Sequence, residues 1–144
     1  MLLVHQLLKN RPKPHVLASE ISVLEASRFF RANKIGGAPV VEHGRLVGFC
    51  SERDLVMRVI AEGRDADLTR VSDVMTRDVE TAELDDTVEL CETKLRKRHC
   101  RHLPVVDGDR VVGCLSLRDF LQSDLREKQA ELEQLASYIR TAGA

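Results

Sequence analysis

The sequence predicts an α/β fold of the α+β kind: two tandem β-α-β-β-α units packed about a pseudo-twofold axis, plus a C-terminal helix. Three observations carry that prediction. Short motifs recur at one fixed offset, and the residues around each copy follow the same order of strands and helices. The last stretch of the chain is charged and carries apolar residues seven apart. A repeat at fixed offset decides the architecture first, because each copy must be one supersecondary unit.

The repeat is exact in register. Pro39-Val40-Val41 returns as Pro104-Val105-Val106, Val47-Gly48 as Val112-Gly113, and Arg45 as Arg110. Ser51-Glu52-Arg53-Asp54 returns as Ser116-Leu117-Arg118-Asp119. Each pair is 65 positions apart (104 − 39, 112 − 47, 119 − 54), and nine of the sixteen residues from 39 to 54 are identical in the second copy.

In chain order, Val4-His5-Gln6-Leu7-Leu8 and Val71-Ser72-Asp73-Val74-Met75 read as equivalent helical turns leading into the two copies. An extended stretch follows, Val16-Leu17-Ala18-Ser19 in one and Asp78-Val79-Glu80-Thr81 in the other. The first reads about two residues shorter than its counterpart. Asn10-Arg11-Pro12-Lys13-Pro14 makes the approach to the first strand irregular, since proline has no N–H to give a ladder. Next comes a helix capped by Ser22 or Thr87. It buries Val23, Ala26 and Phe30, matched by Val88, Cys91 and Leu95 at helical spacing. Two β-branched runs follow, Ala38-Pro39-Val40-Val41 and Arg45-Leu46-Val47-Gly48-Phe49-Cys50. They are joined by a turn at Glu42-His43-Gly44, with Asp107-Gly108-Asp109 in the second copy. A second helix then starts at Ser51 and at Ser116. These boundaries give a first repeat over 1–61, a linker over 62–70 containing Glu62-Gly63-Arg64-Asp65-Ala66-Asp67, a second repeat over 71–123 and a helical tail over 124–144. One unit alone leaves a sheet face and two helix stripes bare, and pairing two copies covers them. In the tail, Leu125, Leu132 and Ile139 are seven apart with Leu135 between them, a coiled-coil-like stripe. It either packs back on the module or pairs with another chain.

Composition narrows the function. The chain has 144 residues, 43% of them hydrophobic, enough to bury a core without disulfides or metal. Net charge is −1 with both signs interspersed, Trp is absent and Tyr occurs once, so neither a phosphate-binding surface nor a base-stacking platform for nucleic acid is present. No apolar run reaches membrane-spanning length, and the first residues lack the pattern of a signal peptide. Cys50, Cys91, Cys100 and Cys114 lie in apolar stretches without short paired spacing. That pattern suits free buried thiols in a reducing, cytoplasmic compartment.

The motifs Ala-Pro-Val-Val…Gly-Phe-Cys-Ser-Glu-Arg-Asp-Leu at 38–55 and Leu-Pro-Val-Val…Gly-Cys-Leu-Ser-Leu-Arg-Asp-Phe at 103–120 resemble a tandem pair of CBS domains, named after cystathionine β-synthase. The resemblance covers roughly residues 4–125. It implies a disc with two clefts for adenosine-containing ligands, usually AMP, ADP or ATP, and a non-catalytic, energy-sensing role. By that resemblance Asp54 and Asp119 hold ribose hydroxyls, Ser51 and Ser116 supply the matching hydroxyls, and further contacts come from just before Pro39 and Pro104. The matching positions there are Gly36-Gly37 and Arg101-His102. The resemblance also implies a homodimer that signals in trans to a separate enzyme or transporter. An alternative is a ligand-free interaction protein forming homodimers, or a site for another adenosyl ligand such as NAD or S-adenosylmethionine.

The residues make chemical sense of such a site. A carboxylate near a helix start accepts from both ribose hydroxyls, while free N–H groups at that helix start attract phosphate. Arg53 and Arg118 add a cationic fork, and Ile35, Ala38, Leu103 and Cys114 supply an apolar slot for the base. Ser-x-x-Asp before a helix is equally a capping box that needs no ligand, and the two roles are compatible. Lys94 through Arg98 read as cations complementing a helix C-terminus. Arg101 and His102 sit beside the second cleft, where the first has uncharged Gly36-Gly37, so the clefts are expected to differ, the Asp119 cleft preferring more phosphates. His99, Cys100 and His102 do not converge on a metal, because neighbours on a strand alternate faces. No P-loop, nucleophile elbow, dinucleotide fingerprint or zinc-hydrolase helix is found, so no enzyme activity is expected.

Overall fold

The computed structural model describes residues 2–143. In the first repeat the chain runs through α1 (Val4–Leu8), β1 (Leu17–Ala18), α2 (Val23–Asn33), β2 (Gly37–Glu42), β3 (Arg45–Ser51) and α3 (Glu52–Leu55), which continues as a π-helical turn over Val56–Ile60. The second runs through α4 (Val71–Val74), β4 (Ala82–Glu83), α5 (Val88–Arg98), β5 (His102–Asp107), β6 (Arg110–Ser116) and α6 (Leu117–Ala142). Ser22 and Thr87 cap α2 and α5 through side-chain oxygens that accept from Glu25 N and Leu90 N. Lys34 and His99, both left-handed, end those helices.

The strand order β1-β2-β3-β6-β5-β4 is a palindrome of the two repeats. Within each half the short first strand is parallel to its neighbour and the hairpin is antiparallel. A register shift falls between Val40 and Val41 and again between Val105 and Val106, so even the irregularity is duplicated. The hairpin turns differ. His43 and Gly44 both have positive φ, the geometry of a type I′ turn, whereas only Gly108 does in the second, the geometry of type II′. The two hairpin tips join the halves: Arg45 pairs with Arg110, and Leu46 N donates to Asp109 O at 2.9 Å.

One expected element moves. The second copy's first strand is Ala82–Glu83, not Asp78–Thr81, and both first strands are two residues long, 65 apart (82 − 17). What differs is the approach to each. Leu8 to Leu17 spans nine positions and Met75 to Ala82 seven, so the first approach is the longer one, its Pro12 and Pro14 unable to donate to a ladder.

Two hydrophobic cores form, and the lead-in turns are exchanged between them. Val71, Val74 and Met75 pack with Leu17, Val23, Ala26 and Phe30, while Val4 packs with Ala82, Val88, Cys91 and Leu95. Backbone bonds fix the exchange: Val71 N donates to Ile21 O and Ser72 N to Ser19 O, while Val4 N donates to Asp86 O and His5 N to Leu84 O. Each repeat therefore closes its core with a turn that precedes the other repeat in sequence.

The tail does not pack back on the module. Phe120 and Ser123 are buried, and every described residue from Asp124 onward in the 26-residue α6 is exposed. That leaves pairing with another chain as the surviving expectation for the stripe. Among the described residues no helix is long and apolar enough to cross a membrane.

Candidate functional site

The backbone brings the expected segments together in both repeats. Gly36 O accepts from Glu52 N at 2.9 Å, and Arg101 O accepts from Leu117 N at 2.8 Å. Each pre-strand segment thus lies against the start of the helix carrying the aspartate. The helix starts are capping boxes. Ser51 Oγ accepts from Asp54 N at 3.2 Å while Ser51 N donates to Asp54 Oδ2 at 3.0 Å. In the second repeat Ser116 Oγ accepts from Asp119 N at 3.3 Å while Ser116 N and Oγ donate to Asp119 Oδ2 at 2.7 and 3.1 Å. The first and third helical N–H groups are thus already bonded, which corrects the expectation that they stand open to a phosphate.

The capping leaves Oδ1 of each aspartate facing a segment from the exchanged lead-in. Thr76 Oγ1 donates to Asp54 Oδ1 at 3.4 Å, and Arg58 Nε lies 3.9 Å from the same oxygen. Arg58 is itself anchored, donating to Val74 O at 2.8 Å and Met75 O at 3.2 Å. At the other site Arg11 Nη2 donates to Asp119 Oδ1 at 2.8 Å. The aspartate side chains are only 13% and 18% exposed. Burial alone would push the Asp119 carboxyl up, but the Arg11 and Ser116 hydrogen bonds prevail and hold it below the ordinary carboxylate value.

Between the sites lies an aromatic contact. The Phe49 ring stacks on His102 with centroids 5.1 Å apart and planes at 30°. Phe49 and Thr76 exchange two backbone bonds of 2.8 Å. Gly37 is required here, since a Cβ would meet Phe49 Cε1 at 2.7 Å; its counterpart one repeat later is His102 itself. Burial, then neighbouring Arg101, pushes the His102 pKa down against the pull of Asp119 and Glu52, so the ring is neutral at pH 7.

The other expected residues divide. Arg53, Arg118 and Arg101 are exposed beside the two helix starts, and Pro39 and Pro104 are buried in β2 and β5. Ala38 and Leu103, expected in a base slot, are 1% and 0% exposed within the hydrophobic cores; strand alternation turns them away from Gly37 and His102. Cys114 is half-buried, and Ile35 lines a groove of about 550 Å³ beside the first helix start with Gly36, Glu52 and Leu55. Burial pushes the Cys50 and Cys114 thiols up to about 12 and Cys91 up to about 11, so none is an activated nucleophile. Sequence reasoning missed Arg11, Thr76, Arg58 and Phe49. Arg11 and Thr76 each follow a lead-in turn, Arg58 follows α3 and Phe49 lies in β3, and no local pattern links any of them to the opposite repeat.

Comparison with known proteins shows the family and the fold. The CBS-domain family model matches residues 5–61 and again 71–126. The CBS domain-containing protein YhcV of Bacillus subtilis is 30% identical over 109 residues, 76% of this chain and 77% of that one. Among solved structures, the CBS domain pair of protein MJ0100, in complex with 5-methylthioadenosine and S-adenosyl-L-methionine, superposes with a TM-score of 0.77 at 31% identity over 87% of this chain and 97% of that one. The CBS domain protein PAE2072 from Pyrobaculum aerophilum, complexed with AMP, gives 0.73 at 28% identity over 82% and 89%.

Proposed function

The chain belongs to the CBS-domain family as a tandem pair, and on that footing we propose that it is a non-catalytic regulatory module that binds AMP, ADP or ATP between its repeats and signals in trans. One observation carries the reading: a mostly buried aspartate, duplicated, held by its serine and turned toward the exchanged lead-in. MJ0100 and PAE2072 hold adenosyl ligands in the same fold, which supports that ligand class.

In this reading Asp54 and Asp119 accept from ribose hydroxyls through Oδ1, the oxygen their serines leave to other partners. Ligand at the second site replaces Arg11, which is then free, with Arg101 and Arg118, to meet phosphate. Release of Arg11 loosens the 9–16 approach to β1, and that change is the signal. A ligand shifts such an equilibrium only by its preference for one arrangement, and the Arg11–Asp119 contact distinguishes the two. The sites are unequal: Glu52 stands beside Gly36, whereas the second site has Arg101 and uncharged Leu117 at the matching positions. The Asp119 site therefore takes more phosphates. Identical losses for AMP and ATP in Asp54→Ala and Asp119→Ala would contradict this. A homodimer acting on a separate enzyme or transporter in the cytoplasm completes the proposal.

A thermal-shift panel on nucleotide-stripped protein tests it with AMP, ADP, ATP, NAD, S-adenosylmethionine and GTP. Ligand at a hundredfold its Kd adds roughly 2.7 kcal/mol, a rise of about 5–10 °C for a chain of this size. A rise with adenine nucleotides, lost with the aspartates, supports the reading. A rise with S-adenosylmethionine or NAD alone moves the ligand to those classes. No rise with any compound at millimolar concentration supports a ligand-free interaction protein, the reading favoured by the exposed tail.

A further inference from the structure

We propose that the exposed stripe of α6 is a self-complementary interface that pairs antiparallel with the same helix of a second copy. The inference deepens the homodimer proposed above and is independent of nucleotide binding. Leu121, Leu125, Lys128, Leu132, Leu135 and Ile139 follow one another at spacings of 4, 3, 4, 3 and 4, the a/d seam of a coiled coil. All five apolar members are 55–69% exposed. The buried Phe120 and Ser123 lie about 100° and 160° round the helix from the seam, and every described residue from Asp124 onward is exposed, so the seam can be covered without displacing their packing.

Lys128 specifies the occupant. In a parallel pair it would sit in the seam opposite its own copy, two like charges in one layer. Antiparallel, the seam has a centre of symmetry: 121 with 139, 125 with 135 and 128 with 132 all sum to 260. Leu121 then faces Ile139 of the second copy, Leu125 faces Leu135, and Lys128 faces Leu132 beside Glu131. Within one chain Lys128 Nζ already lies 3.8 Å from Glu131 Oε2, so the same carboxylate is poised for the crossing lysine. The paired stretch from 121 to 139 spans about 27 Å, some five turns.

Sedimentation equilibrium of the full chain at tens of micromolar tests the pairing. The expected result is a dimer that Leu125→Glu, which sets a carboxylate against Leu135 of the second copy, weakens about a hundredfold or more, with an unchanged circular dichroism spectrum because Leu125 is exposed in the monomer. A monomeric parent chain overturns self-association altogether, whereas a dimer that survives Leu125→Glu overturns the tail interface and moves dimerisation to the module. Orientation is read separately: under mild oxidation Gln129→Cys, next to the centre of symmetry, forms a 129–129 disulfide located by peptide mapping, and Gln122→Cys forms no 122–122 disulfide. The reverse pattern overturns the antiparallel register.

Discussion

Replacing Gly113 by alanine would press a methyl into the N-terminal lead-in turn, because a Cβ there meets Leu8 Cδ1 at 2.7 Å and Cδ2 at 2.9 Å. Gly113 pairs with Val105 in the second repeat, so the clash exists only because the first lead-in closes the second core. Overpacking of this kind costs typically 1–3 kcal/mol, toward the lower end where the opposing atoms end a flexible side chain. Leu8→Ala alone costs about 1–2 kcal/mol for a half-buried leucine. The alanine at 113 then fills part of the space, so the double variant is less destabilised than the sum by about 1 kcal/mol. The equivalent pair behaves differently. A Cβ at Gly48 meets Met75 Sδ at 2.6 Å but also backbone Thr76 O at 2.9 Å, so Gly48→Ala costs more and Met75→Ala relieves it only in part. Urea unfolding at constant m-value reads all these differences. Additivity of Leu8→Ala and Gly113→Ala within about 0.3–0.5 kcal/mol would refute the exchanged lead-in.

Three further outcomes follow from the site. Arg11→Ala frees Asp119 Oδ1, and since a partly exposed ion pair contributes roughly 0.5–1 kcal/mol, calorimetry should show adenosine binding two- to fivefold tighter. Adenosine affinity that is unchanged or weaker contradicts the proposed displacement. Because the Asp119 carboxyl is held below its unfolded value, its contribution is present above about pH 4 and fades as pH falls through the lower folded pKa. Parent stability should therefore drop more than that of Asp119→Asn below about pH 4, and parallel acid curves would count against the pairing. With pKa values of about 11 to 12, Cys50, Cys91 and Cys114 should react with iodoacetamide at pH 8 far more slowly in native than in unfolded protein. Fast native alkylation of any of them would show that burial does not protect the thiol.

The repeat made most of the fold legible. Ser22 and Thr87 marked helix starts, the β-branched runs marked the hairpins, and the 65-residue offset carried each assignment across. That offset also points to the observed second-copy strand, since Leu17 plus 65 is Ala82, whereas Asp78–Thr81 lies outside it. The helix-start serines and aspartates were equally readable, because a capping box is a four-residue pattern. Which side chains would face Asp54 and Asp119 was not. Arg11 lies 108 positions from Asp119 and Thr76 lies 22 from Asp54, and both arrive through an exchange of lead-ins that conserves local pattern in either pairing. The Phe49–His102 stack is likewise a contact between repeats. Ala38 and Leu103 are expected in the slot for their apolar character, yet as strand neighbours of Gly37 and His102 they turn to the opposite face and into the cores.

The most direct test of the central claim is calorimetric titration of AMP and ATP into nucleotide-stripped parent protein, Asp54→Ala and Asp119→Ala. The account predicts saturable adenine-nucleotide binding, with Asp119→Ala losing more affinity for ATP than for AMP and Asp54→Ala retaining the ATP site. Binding of both nucleotides that is unaffected by either substitution, or no heat of binding at millimolar ligand, would contradict it.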